Sequence, residues 1–107
     1  AADKKRVDGA AILNDVGSVN LGALPVDKYS LKYTYTSATA VAIAFSGTPE
    51  EGREFMLDIL NNTATDIDQP IPNADPWQSE DASVTLAAGK VTPISIRYVH
   101  GKYCVRT

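Results

Sequence analysis

Tyr29-Ser30-Leu31-Lys32-Tyr33-Thr34-Tyr35-Thr36 alternates without a fault. Tyr29, Leu31, Tyr33 and Tyr35 fall on one face, and Ser30, Lys32, Thr34 and Thr36 on the other. A period of two, rich in Tyr and Thr, fits a pleated strand with one buried side and fits no helix. A chain holding such a strand must supply partners for its edges and a layer for its apolar face. The rest of the sequence is therefore searched for more strands.

The next run, Thr39 to Phe45, sets Val41, Ile43 and Phe45 apart by alanines, as in a strand covered on both faces. Only Ser37 and Ala38 separate it from the first, so the two are expected to pair as a hairpin, although neither residue favours a turn with φ > 0. Later, Ser83-Val84-Thr85-Leu86 leads into the turn Ala87-Ala88-Gly89-Lys90. Val91 to Val99 follows, with Ile94, Ile96 and Tyr98 on one face. Pro93 belongs at the start or edge of that strand because it has no N–H to donate. His100-Gly101-Lys102 reads as a turn into Tyr103-Cys104-Val105-Arg106. Ala10–Leu13 and Ser18–Leu24 are weaker strand candidates.

Glu54 to Leu60 can be read two ways. Phe55, Leu57 and Ile59 alternate as in a strand, while Thr48-Pro49-Glu50-Glu51 resembles a helix start. The neighbouring strands favour the first. Asn61 to Asp81 reads as a long polar stretch with three prolines and the sole tryptophan, Trp77. The expected fold class is all-β, a two-sheet antiparallel β-sandwich (jelly roll) of about seven to nine short strands. The 107 residues fit one domain, with residues 1–9 as a flexible tail.

Composition narrows function. Residues 50–81 carry nine acids against Arg53 alone, while the net charge of the chain is only −3. No dense basic face exists, so nucleic acid is not an expected partner. No apolar run is long enough for a membrane span. The single cysteine, Cys104, excludes an internal disulfide.

No nucleophile elbow, phosphate loop or zinc spacing occurs, and catalytic residues are expected to be none. His100 and Cys104 stand across a turn, where a nucleophilic pair would need direct contact and a third orienting group; a small buried thiol is the simpler explanation. Asp66 and Asp68, with Asp75 further on, could supply carboxylates to Ca2+, yet they lack the glycine and closing glutamate of an EF-hand loop. Apart from this calcium candidate no cofactor is expected. Asn61-Asn62-Thr63 fits the N-glycosylation sequon.

Aromatic residues are the other resource. Sugar rings stack their C–H faces on Trp and Tyr, with polar groups reading the hydroxyls. Trp77 is the candidate platform, or else it plugs one end of the sandwich. Tyr103, His100 and Tyr35 complete the candidate ligand-binding set.

Three segments resemble carbohydrate-binding modules of the family 6 and family 35 type. The first, Val19 to Tyr35, is similar to the stretch where those modules enter a Y-x-L/V-x-V-x-Y strand. The second is Trp77, and the third is Ser83 to Lys90 followed by Ile94-Ser95-Ile96, like their V-x-L-x-A-G-x turn and next strand. The late pattern also resembles PA14 domains and the final hairpin of some fimbrial subunits. The family resemblance implies a galactose-binding-like jelly roll and an extracellular or secreted glycan-binding module. Tyr103-Cys104-Val105 stands where the family places an Asn or Asp for sugar contact. The alternative expectation is a structural or adhesive subunit of fimbrial, toxin or phage type, acting through a protein partner.

Overall fold

The structure is a computed structural model that describes residues 18–107. The Ala10–Leu13 strand candidate and the N-terminal tail lie outside the described residues. Seven strands form within them: β1 (Ser30–Tyr35), β2 (Arg53–Asn61), β3 (Ile67–Pro70), β4 (Trp77–Gln78), β5 (Ser83–Leu86), β6 (Val91–Val99) and β7 (Lys102–Arg106). Five join in one sheet in the order β1-β2-β6-β7-β4, and β3 and β5 form a second, two-stranded sheet.

The all-β, two-sheet expectation holds, but the purely antiparallel one does not. β1 runs parallel to β2, and β4 runs parallel to β7. The expected hairpin between β1 and residues 39–45 does not form. Ser37 and Ala38 cannot easily take the φ > 0 conformation of a two-residue turn, and β1 instead pairs with the longer β2, in the register Leu31↔Leu57 and Tyr33↔Ile59. Residues 39–45 keep the burial of a strand, with Ile43 buried and Val41 and Phe45 half-buried. Ala42 and Ala44 face solvent, so the run is covered on one side only.

Side chains replace the missing ladder. The Tyr35 hydroxyl accepts from Val41 N–H at 2.9 Å and donates to Gln69 Oε1. Gln69 Nε2 donates to the carbonyls of Val41 (2.7 Å) and Pro70 (3.1 Å). Further along, Ala44 N–H donates to Leu21 C=O, and Leu24 N–H to Ala44 C=O, each at 2.9 Å. The Ser18–Leu24 candidate is thus a short 3₁₀ turn (Leu21–Ala23) between two isolated bridges, Ser18↔Lys32 and Leu24↔Phe45.

Residues 54–60 are a strand. The helix-like start before them is a turn closed by Arg53 N–H to Glu50 C=O (3.1 Å), with Gly52 at φ 87°. Its left-handed backbone is one that glycine adopts without steric cost. The long polar stretch 61–81 holds β3 and β4. Pro93 lies near the start of β6, where β7 no longer runs alongside: their pairing begins at Ser95↔Arg106. The β6–β7 hairpin turns on His100 (φ 54°) and Gly101 (φ 69°), both left-handed as a type I′ turn requires.

Alternation places one face of each strand on the core. Leu31 and Tyr35, Phe55, Leu57 and Ile59, Ile94 and Ile96, and Val105 line the inner face of the large sheet. Ile67, Ile71, Leu86, Ile43, Leu21 and Leu24 complete the core. A buried aliphatic side chain contributes roughly 1.5–3 kcal/mol, so this layer carries most of the stability.

Asn61 is fully buried at the end of β2. Its Nδ2 donates to Leu86 C=O (2.8 Å) and Thr65 C=O (2.9 Å), while Oδ1 accepts from Thr63 N–H and Oγ1. The sequon asparagine is therefore committed inside the folded chain and has no free amide to modify. Replacing Asn61 with alanine should destabilise by about 2 kcal/mol, because Leu86 C=O loses a buried partner; urea unfolding measures it.

Candidate aromatic binding site

A two-stranded sheet cannot cover the inner face of a five-stranded one. The irregular run 36–46 roofs part of the remainder, and the β6-β7-β4 end keeps its aromatic residues half-buried. Trp77 and Tyr103 are register partners on β4 and β7, so alternation brings both rings to the inner face. Tyr98 joins them as the partner of Tyr103 on β6.

The rings form one cluster. Trp77 stacks on Tyr103 with centroids 4.3 Å apart and planes 15° from parallel. Phe45 lies 5.4 Å from Tyr103 and 5.9 Å from Trp77, again near parallel, and 4.6 Å from the buried Phe55. Tyr98 meets Tyr103 at 4.8 Å, tilted by 50°. Trp77 is thus both a half-exposed surface and a side chain packed on the core. Its loop is fixed by Tyr103 N–H donating to Pro76 C=O at 2.9 Å, and by the Lys102 Nζ contact with Asp75.

The predicted ligand set divides. Trp77 and Tyr103 meet, and His100 lies exposed in the adjoining β6–β7 turn, where its N–H donates to Glu51 Oε2. Tyr35 does not belong with them. It is 1% exposed, and its hydroxyl is spent on Gln69 and Val41. Its place as the last inward residue of the Tyr29–Thr36 alternation, beneath the 36–46 run, is the physical reason for that correction.

The metal candidates are not brought together. Asp66 Oδ1 accepts from Ala88 N–H (2.9 Å), Asp68 faces outward on β3, and Asp75 holds Lys102. Among the described residues, no three His, Cys, Asp or Glu side chains converge on a point that could hold a metal ion. Cys104 Sγ lies 3.8 Å from Gln78 Oε1, on the face opposite the aromatic cluster. A depression of about 560 Å³ beside the end of β7, lined by Gln78–Asp81 and Val105–Thr107, contains none of the rings. It is broad and open, and its lining suggests solvated polar surface rather than a built pocket.

Phe45 and Tyr98 also belong to this cluster; Phe45 was not legible as a member of it, and Tyr98, which flanks the same turn as Tyr103, reads first as core packing. Both sit at apolar positions of alternating runs, which reads as core. Tyr98 shares its face with Ile94 and Ile96, and only the register opposite Tyr103 places it at the uncovered end.

Burial raises the pKa of both Tyr35 and Tyr103 above 10.0. A backbone hydrogen bond from Val41 partly offsets this at Tyr35, where Tyr33 adds to it, and neighbouring Tyr98 adds to it at Tyr103. A raised folded pKa means that the fold favours the neutral phenol. That contribution is complete below the unfolded pKa of about 10 and is lost as pH rises through the folded values. Urea midpoints should therefore stay flat through the neutral range and fall above about pH 10, and Tyr35→Phe should shallow the fall.

No protein-family model, curated protein or solved structure matches this chain.

Proposed function

We propose that the chain is a non-catalytic carbohydrate-binding module, working outside the cell, whose ligand stacks on the Trp77–Tyr103 end of the large sheet. The observation that carries this reading is the near-parallel Trp77–Tyr103 stack, left half-exposed because the second sheet is too narrow to cover it. Stacked aromatic faces with adjacent polar groups suit a pyranose ring, and His100 in the turn before β7 and Asp75 just ahead of Trp77 are the nearest candidates for such groups. The jelly roll belongs to the same proposal. Two packed sheets agree with it, and the five-plus-two division with two parallel pairs departs from it.

The test is binding to a glycan array by the wild-type chain and by Trp77→Phe, which keeps a ring on the core but shrinks the stacking face. Wild-type binding weakened about tenfold in the variant supports the reading; an array with no wild-type signal contradicts it.

A structural or adhesive role draws on a different observation: none of the outward-pointing residues of the five-stranded sheet is buried. Three of the four edge strands are guarded. β4 has only two residues next to Pro76, β3 carries Asp68 and Pro70, and β1 is met by Ser18 at Lys32. Such features discourage strand addition. Sedimentation velocity separates the readings, because self-assembly requires a concentration-dependent increase in mass and the glycan module requires none.

A further inference from the structure

Resting on the glycan reading, we infer that this site holds a single sugar ring, at a chain end or as a lone branch residue, and not a run of successive rings. A platform for an extended polysaccharide needs aromatic faces set side by side, each free to take one sugar. Here the rings lie on one another. The centroids of Phe45, Trp77 and Tyr103 all fall within 5.9 Å of each other, with interplanar angles of 12° to 18°. Tyr103 occupies one face of the indole and Phe45 lies near parallel at 5.9 Å, so Trp77 has at most one face to offer.

The other aromatic residues do not extend the surface. Tyr35 and Phe55 are buried, and Tyr33 packs edge-on against Tyr35 at 4.9 Å. Tyr98 is half-buried and meets Tyr103 at 4.8 Å with its ring tilted by 50°, so it sets no second face parallel to the indole. Tyr29 is well exposed, at 46%, but it precedes β1, at the opposite edge of the five-stranded sheet from β4. Any sugar beyond the first therefore meets no stacking ring. A further stacked ring would strengthen binding by on the order of tenfold, and this arrangement withholds that gain.

The experiment is isothermal titration of the wild-type chain with glucose, galactose, mannose and N-acetylglucosamine, then with the linear di- and tetrasaccharide of each. For whichever sugar binds, the tetrasaccharide should stay within about fivefold of the monosaccharide. A tetrasaccharide stronger by more than that overturns the single-ring inference while leaving the glycan reading in place. Absence of binding by every sugar and oligomer overturns both.

Discussion

Replacing Gln69 with alanine should destabilise the chain by about 3–4 kcal/mol, read from urea unfolding. Gln69 has no exposed surface and ties three elements together. Its Oε1 accepts a hydrogen bond from the Tyr35 hydroxyl, and its Nε2 donates to the carbonyls of Val41 and Pro70. Alanine removes all three bonds, opens a cavity and strands the Val41 carbonyl where no strand can serve it. Stability totals about 5–15 kcal/mol for domains in general, so this single change takes a large share. Tyr35→Phe should cost about 1–3 kcal/mol. The double variant should cost less than the sum, because both changes break the same network. A loss below about 1 kcal/mol for Gln69→Ala would mean that residues 36–46 are held by apolar contact alone.

Trp77→Ala should destabilise by about 3 kcal/mol and abolish sugar binding together. The ring touches Tyr103 and Phe45, and through Phe45 it reaches Phe55 in the core. Removing it exposes one face of Tyr103 and unseats the short β4, whose two residues have little else to hold them. Half-burial keeps the cost below that of a fully buried tryptophan. Trp77→Phe should retain most of the stability while losing most of the binding, which separates the two roles of the side chain. A Trp77→Ala chain as stable as wild type would show that the stack is not part of the packing.

The strands were legible where alternation was long and clean. β1, β5, β6 and β7 follow from side-chain period, because a pleated strand half-buried on a core has to alternate, whereas β2 alternates behind a helix-like start and needed its neighbouring strands to decide it. Pairing was not legible to the same degree. The period of residues 39–45 is that of a strand, yet nothing local reveals that Gln69, some thirty residues away in the sequence, will satisfy Val41 in place of a neighbouring strand. Ile67, Gln69 and Ile71 do share one face, so the alternation of β3 was present among the polar residues, masked by Asp68 and two prolines. Trp77 and Tyr103 were legible as aromatic residues in suitable places. Their meeting was not, because it depends on β4 running parallel to β7, and a two-residue strand leaves almost no periodic signal. Tyr35 failed as a ligand residue for the same reason that it succeeded as a strand residue, since its inward face is the core.

The most direct test uses the one tryptophan. Its single indole N–H gives one resonance in a 15N–1H correlation spectrum, and a bound sugar can be followed against it. Titration with the best sugar from the array should shift the Trp77 indole signal and the amides of Tyr103, His100 and Lys102, while those of β3 and β5 stay in place. Shifts confined to β3, β5 or the outer face of the large sheet, with the indole signal unmoved, would contradict a binding site on the Trp77–Tyr103 stack.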